Sequence, residues 1–170
     1  MIAMTKDLVC AVIEKLADQE PGEWVLLGGS LGLAVNATHR ATFDIDLGRA
    51  DMADLFTPAG LIGIAESLGI PIEAINQAAN IYLHRQTFDG WLVPLVKGAK
   101  STVYRPHFDL YLRMKLERLS VTDAHDIIAY AQRFPEEVEV ESLRHLWPDL
   151  IKKHGHKPGW PQLVDWIQMK

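Results

Sequence analysis

The sequence has little of several features that would place it in a specialised class. Cys10 is its only cysteine, so no disulfide can form within the chain, and we expect a reducing, cytoplasmic compartment. No apolar run reaches the roughly 18 residues that a membrane-spanning helix needs. The first residues also lack the basic start and apolar centre of a signal peptide. We therefore expect a cytoplasmic protein that does not associate with a membrane.

Positive charge is scarce as well. The chain has 17 lysines and arginines against 22 aspartates and glutamates, which gives a formal net charge of −5. This balance disfavours a broad basic surface for nucleic acid, although a local basic patch remains compatible with it. The 170 residues are 48% apolar and 23% charged, which is ordinary for a globular protein with one core.

A short apolar segment followed by two glycines is the first informative motif. Residues 24–27 (Trp-Val-Leu-Leu) are typical of a buried strand. Gly28 and Gly29 allow a sharp turn and a close approach of a ligand to the backbone. Ser30 then opens a segment of helical character. A strand, a glycine turn and a helix N-terminus together predict a corner that binds phosphate.

The second motif contains Asp44-Ile45-Asp46, and thirteen residues separate it from Ser30. Residues 42–47 (Thr-Phe-Asp-Ile-Asp-Leu) alternate with period two, which predicts a strand with Asp44 and Asp46 on one face. Two such carboxylates suit a shared hard cation with oxygen ligands, Mg²⁺ or Mn²⁺. Each motif alone is more often a plain turn or a solvated strand edge. Their combination, each on its expected element, favours a functional site.

Together the two motifs resemble the signature of the nucleotidyltransferase superfamily of the DNA polymerase β type. That signature is Gly-Gly/Ser-Ser, a spacer, and Asp/Glu-x-Asp/Glu. The residues around both motifs look most like the small prokaryotic branch, which holds the DUF6036 proteins and the AbiEii-like toxins of toxin–antitoxin and phage-defence systems. Within this resemblance, the spacer between Ser30 and Asp44 is at the long end.

The resemblance implies an α+β fold with a nucleotidyltransferase-like mixed β-sheet, flanked by helices and followed by a helical C-terminal segment. It implies Mg²⁺-dependent (or Mn²⁺-dependent) transfer of a nucleoside monophosphate from a nucleoside triphosphate to a hydroxyl of RNA, protein or a small molecule. A cognate antitoxin is a possible partner. Asp44 and Asp46 would hold the metal, and Gly28, Gly29 and Ser30 would hold the phosphates. Active members add a third carboxylate from a later strand, for which Glu73 is the best-placed residue.

A second, weaker patch of resemblance covers Lys115, Arg118, Asp123 and Asp126, with Thr122 where the family has a lysine. Lys115 lies among leucines, so its charge needs a partner or a path to water. The two aspartates are three residues apart on a predicted helix and share a face. One could pair with Lys115 or Arg118, and the other could cap a helix.

Two interpretations of this patch stay open. The charged residues could only attach the helical segment to the core, or Lys115 could reach the nucleotide phosphates while the aspartates orient it. Arg40, just before the second motif, also has two interpretations. It could contact a phosphate or nucleobase, or it could be an ordinary surface arginine.

The remaining pattern predicts a chain of one compact unit with a boundary near residue 105. The nucleotidyltransferase-like core would span residues 1–105 and the helical segment 106–170. Thr122 is the expected N-cap of a helix over 123–133. Further elements are a connector at 50–55, a strand at 70–75, a hairpin of 91–96 with 100–104, and helices at 5–18, 58–68, 107–119, 140–146 and 161–169.

Two other functions compete with transfer to an unspecified hydroxyl. The first is a catalytically inactive module that keeps the fold and binds nucleotide or a protein partner. The second is modification of a small cationic molecule, as in the antibiotic nucleotidyltransferases that share this signature. An acidic acceptor cleft beside the sheet would favour the second.

Overall fold

A five-stranded mixed sheet with helices around it forms the centre of the computed structural model, which describes residues 3–52 and 58–169. The sheet order is β3-β2-β1-β5-β4, with antiparallel β1/β2 and β4/β5 pairs and parallel β1/β5 and β2/β3 pairs. This confirms the expected α+β class with a mixed sheet. The strands are β1 (Glu23–Leu26), β2 (Ile45–Arg49), β3 (Ile75–Asn76), β4 (Leu92–Lys97) and β5 (Thr102–Pro106).

The central strand β1 is buried because it has a strand on each side and helices over it. Trp24, Val25 and Leu26 are all fully inaccessible to solvent. The predicted hairpin is also confirmed, since β4 and β5 pair antiparallel next to β1. The carboxyl end of β1 therefore leads directly from the middle of the sheet into the Gly28–Gly29 turn.

The helices are α1 (Lys6–Gln19), α2 (Gly28–Ala34), α3 (Ala59–Ser67), α4 (Asn80–His84), α5 (Phe108–Leu116), α6 (Val121–Arg133), α7 (Val140–His154) and α8 (Trp160–Gln168). Most predicted helices are confirmed within a few residues. The expected end of α7 at residue 146 is wrong, because the helix continues through Pro148. Within the described ranges, no helix has both the length and the apolar character to cross a membrane.

Three local expectations differ from the structure. The segment predicted as one strand at 70–75 forms a 3₁₀ turn over Ile72–Ala74 before the short β3. Ser120, and not Thr122, is the N-cap of α6, because its hydroxyl accepts from the Asp123 N–H while the Asp123 carboxylate accepts from the Ser120 N–H. The predicted connector at 50–55 lies partly outside the described residues.

The predicted boundary at residue 105 falls inside β5, which passes into α5 through His107 alone. Arg105 is buried and donates to the Glu137 carboxylate and to the Tyr130 hydroxyl, which ties the sheet to the helices that follow it. α6 packs against both α2 and α5. As a result, the C-terminal end of α5 and the start of α6 stand over the same sheet edge that the two sequence motifs form.

Candidate functional site

One cavity of about 710 Å³ brings together residues from four distant parts of the chain. It lies where β1 ends, β2 begins, β3 runs alongside, and α5 and α6 meet. Of the residues expected from sequence, all except Ser30 and Glu73 line it. These lining residues are Gly28, Gly29, Arg40, Asp44, Asp46, Lys115, Arg118, Asp123 and Asp126.

The glycine turn approaches the second motif closely. Gly28 has a φ of +60°, in the left-handed region that favours glycine. A Cβ atom at Gly28 would lie 1.7 Å from the Asp46 carboxylate. Gly28 is therefore required both for the backbone turn and for the space that the Asp46 side chain occupies.

Ser30 does not reach the cavity that it was expected to line. Its side chain is fully buried, its hydroxyl donates to the Leu27 carbonyl (3.0 Å), and it accepts from the Asp46 N–H (3.1 Å). The Leu27 N–H donates in turn to the Asp46 carbonyl (2.8 Å). Ser30 thus joins the turn to β2. Its one hydroxyl proton is already donated to the Leu27 carbonyl, so it has no proton left to donate to a phosphate oxygen in this arrangement.

Asp44 and Asp46 converge on the cavity, although only Asp46 lies within β2. Asp44 precedes the strand, so the expectation of both aspartates on one strand is wrong in that detail. The Asp44 carboxylate accepts from the Thr42 hydroxyl at 3.0 Å. Thr42 itself is held by a backbone hydrogen bond with Met4.

Asn76 is the functional candidate that the sequence reasoning missed. Parallel pairing of β2 and β3 places it beside Asp46. Its Nδ2 atom lies 3.1 Å from Asp46 Oδ1 and 3.5 Å from Asp44 Oδ2. The available signal was a polar residue at the end of a predicted strand, next in the chain after Ile75.

The environment of Asp46 raises its pKa from 3.8 to about 6. Burial is the largest cause, and repulsion from the Asp44 carboxylate adds to it. Lys115, Arg118 and the Asn76 hydrogen bond act in the opposite direction. A carboxyl group with this pKa is ionised at neutral pH but protonates readily below it.

A network of ion pairs from α5 and α6 forms the opposite wall. Lys115 Nζ lies 3.0 Å from Asp123 Oδ1 and 2.9 Å from Asp126 Oδ2. Arg118 donates two hydrogen bonds of 2.7 Å to Asp123. Burial raises the pKa of Asp123, but these hydrogen bonds, Lys115 and Ser120 outweigh it and leave that pKa below its ordinary value. The sequence predicts that one aspartate pairs with Lys115 or Arg118 and that the other caps a helix. In the structure Asp123 does both, and Asp126 also pairs with Lys115.

Arg40 contacts the same network from the other side. Its guanidinium lies 3.3 Å from Asp126 Oδ2, and about half of its side chain is exposed. It also lies close enough to Gly29 that an added Cβ there would be 3.2 Å from the guanidinium. Arg40 therefore belongs to the cavity and is more than an isolated surface residue.

Glu73 does not supply the expected third carboxylate. It is exposed on the 3₁₀ turn and lines a second cavity of about 580 Å³. This second cavity shares Arg40, Thr42 and Asp44 with the first. In the part of the chain that the structure describes, no group of three or more His, Cys, Asp or Glu side chains is arranged to hold a metal ion.

The oxygen-only character of the Asp44–Asp46 pair nevertheless fits a hard divalent cation. Mg²⁺ commonly binds one or two carboxylates and takes its other ligands from water and substrate phosphates. The cavity leaves room for both beside the two aspartates. The amide of Asn76 presents a donor to this position, so it does not act as a third ligand in the orientation observed.

Replacing Gly28 by alanine tests the close approach of turn and carboxylate. Gly69 is a matched control, because its φ is +65° but nothing lies within 4 Å of an added Cβ. Gly69→Ala should cost roughly 1–2 kcal/mol of unfolding free energy from the left-handed backbone alone. Gly28→Ala should cost about 1–3 kcal/mol more, because the Asp46 carboxylate must move. Equal losses of unfolding free energy for the two variants, measured by urea denaturation, would show that the close contact between Gly28 and the Asp46 carboxylate is unimportant.

The raised pKa of Asp46 predicts that its charge destabilises the fold. Since the folded protein binds this proton more tightly than the unfolded chain, stability should rise as pH falls from about 7 towards 4. Asp46→Asn should therefore be more stable than the wild type at pH 7.5, by up to about 3 kcal/mol. The difference should disappear below about pH 4.

The control for this experiment is Asp51→Asn. Hydrogen bonds from Arg49 lower the pKa of Asp51, so this variant should lose stability at neutral pH. Urea denaturation of the three proteins across this pH range measures both effects. A less stable Asp46→Asn variant at pH 7.5 would contradict the electrostatic account of the site.

Comparison of the chain with protein-family models, with curated proteins and with solved structures gave no match. The resemblance in the two motifs therefore remains an interpretation of particular residues. What the site can do follows from its own geometry, in which a glycine turn, four carboxylates and three basic side chains share one cavity.

Proposed function

We propose that the protein is a nucleotidyltransferase that transfers a nucleoside monophosphate from a nucleoside triphosphate to an acceptor hydroxyl, with Mg²⁺ or Mn²⁺. The observation that supports this most is the convergence of both sequence motifs and the Lys115 patch on one cavity. These residues belong to separate sequence patterns that span about a hundred positions, from Gly28 to Asp126. A nucleotidyltransferase-like mixed sheet is consistent with the observed strand order.

The triphosphate would lie between the glycine turn and the basic wall. Gly28 and Gly29 line the cavity through backbone alone, so phosphate oxygens can approach their N–H groups closely. Lys115, whose side chain is only 12% exposed, and Arg118 face this position from α5 and the turn after it. Asp123 and Asp126 hold Lys115 in place, which favours the interpretation that the aspartates orient it.

The carboxylates of Asp44 and Asp46 would hold the divalent cation together with phosphate oxygens. A cation bound there supplies charge neutralisation for the phosphates during transfer. The protein's own contribution is to align the reactants and fix these charges in advance, because phosphoryl chemistry needs little covalent participation from side chains.

In the transfer step, the acceptor oxygen forms a bond to the α-phosphorus while the bond from that phosphorus to the bridging oxygen of the β-phosphate breaks. Pyrophosphate leaves with that electron pair, and the hydroxyl proton must be removed. Because Asp44 and Asp46 would be ionised as cation ligands at this stage, the proton would be released to solvent water. Lys115 and Arg118 would offset the charge that develops on the pyrophosphate.

The acceptor would enter through the second cavity, because Asp44 lines both cavities. Glu73 and Asp44 make that entrance partly acidic, with Arg40 as its basic side chain. This composition favours a neutral or cationic hydroxyl compound over a polyanion such as RNA. A small molecule or a protein side chain is therefore the preferred acceptor.

A second candidate function is favoured by one specific observation. Asn76 stands where a third carboxylate could complete the metal site, and its amide donates to both aspartates. A catalytically inactive relative that binds nucleotide or a protein partner does not need a third carboxylate, so this arrangement would not impair it. Turnover, rather than nucleotide binding, distinguishes the two functions.

Transfer can be measured with the four α-labelled nucleoside triphosphates, Mg²⁺, and total RNA, lysate protein or hydroxyl-bearing small molecules as acceptors. We expect label on an acceptor with the wild type. An Asp44→Asn/Asp46→Asn double variant should lose at least about a hundredfold in rate, because the cation ligands are gone.

Asp51→Asn makes the same chemical change outside the cavity and should retain activity. Label that persists in the double variant would assign the activity to a contaminant or another site. No label with any nucleotide or acceptor would favour the inactive module.

A further inference from the structure

We propose that Asn76 makes cation binding at the Asp44–Asp46 pair conditional on the nucleotide. This inference rests on the proposed function. It concerns the order in which the site is filled: the amide of Asn76 takes the place of a cation while the site lacks nucleotide, and cation and nucleotide enter together.

The position of Asn76 follows from the sheet. Parallel pairing of β2 and β3 aligns Asn76 with Asp46. Its side chain therefore lies on the same face of the sheet as the Asp46 carboxylate, and it lines the same cavity. Its Nδ2 atom contacts both members of the carboxylate pair, at 3.1 Å for Asp46 and 3.5 Å for Asp44.

The orientation of the amide is fixed by its other end. Asn76 Oδ1 accepts a hydrogen bond of 2.8 Å from the Ala78 N–H. A rotation that exchanged the two amide atoms would place the oxygen against two carboxylates and the NH₂ group against an N–H donor. Both contacts would be repulsive, so the amide must present its donor to the aspartates.

This donor competes with a bridging cation. Nδ2 partly satisfies the same carboxylate oxygens that a divalent ion would take, and the ion must displace it. Displacement leaves the amide without its carboxylate partners and supplies no third anionic ligand in exchange. Two carboxylates alone are a weak Mg²⁺ site, because this ion normally adds phosphate oxygens to so small a protein ligand set.

The charges of the cavity also disfavour the binding of a nucleotide without its cation. Each basic side chain already has an aspartate partner, and the aspartates outnumber them. A triphosphate without its cation would therefore meet a site with no surplus of positive charge. Bound together, the cation gains phosphate ligands and the phosphates gain a cation. The aspartates are Asp44, Asp46, Asp123 and Asp126, and the basic residues are Arg40, Lys115 and Arg118.

A titration with Mn²⁺ tests this inference. Binding is measured by the loss of the electron paramagnetic resonance signal of the free ion. The full chain would be titrated with Mn²⁺ alone and with a mixture of the α,β-methylene analogues of the four nucleoside triphosphates. After correction for the Mn²⁺ that the analogues bind without protein, we expect the wild type to bind Mn²⁺ at least about tenfold more tightly with the analogues than without them.

Asn76→Asp replaces the donor by a third carboxylate and should bind Mn²⁺ alone at least about tenfold more tightly than the wild type. Asn76→Ala removes the donor without adding a ligand, so a smaller gain is expected, and it keeps the test valid if the aspartate variant fails to fold. Gln168→Glu adds the same charge on the exposed end of α8 and should change nothing.

The outcomes separate the two proposals. Equilibrium dialysis of the analogues against the protein, run beside the Mn²⁺ titration, measures nucleotide binding separately. Wild-type protein that binds an analogue but binds Mn²⁺ equally well with and without it, or variants without any gain for Mn²⁺ alone, would overturn the role of Asn76. Wild-type protein that binds no analogue even with Mn²⁺ would overturn the proposed function and the conditional binding with it.

Discussion

The hydrogen bonds between the glycine turn and the start of β2 hold the rest of the site in place. The Ser30 hydroxyl joins the Leu27 carbonyl to the Asp46 N–H, and the Leu27 N–H donates back to the Asp46 carbonyl. These contacts bring two motifs that are far apart in sequence to one sheet edge. Gly28 then lets the Asp46 carboxylate lie against the turn without a steric clash. Every proposed ligand contact depends on this junction.

The electrostatics of the cavity explain why such a site can exist in an acidic protein. Asp46 is held with a raised pKa beside Asp44, which is an unfavourable arrangement in the absence of a cation. Across the cavity, Lys115, Arg118 and Arg40 are all compensated by Asp123 or Asp126. Positive charge is thus positioned without an excess that would attract polyanions indiscriminately. The site retains a local need for positive charge at the two aspartates.

Sequence reasoning predicted those parts of the structure that follow from local patterns. The buried strand before Gly28, the β4–β5 hairpin and the amphipathic helices all follow from hydrophobic periodicity and turn residues. The pairing of Lys115 with Asp123 and Asp126 was also accessible, because a lysine among leucines requires a partner. These inferences need no knowledge of which distant segments meet.

The inferences that failed depend on tertiary contacts. The role of Ser30 is set by β2, which the sequence does not place beside it. Glu73 lies in the segment predicted as a strand at 70–75, but a 3₁₀ turn that starts after Pro71 leaves its side chain exposed. Asn76 matters only because β3 pairs in parallel with β2, a register that no local pattern specifies.

The most direct test of the account is a crystal structure of the protein with Mn²⁺ and an α,β-methylene nucleoside triphosphate, using the anomalous signal of manganese to locate the ion. The account predicts manganese between Asp44 and Asp46, phosphates between the Gly28–Gly29 turn and Lys115, and an Asn76 amide turned away from the carboxylates. Nucleotide bound outside this cavity, or manganese bound away from both aspartates, would contradict it.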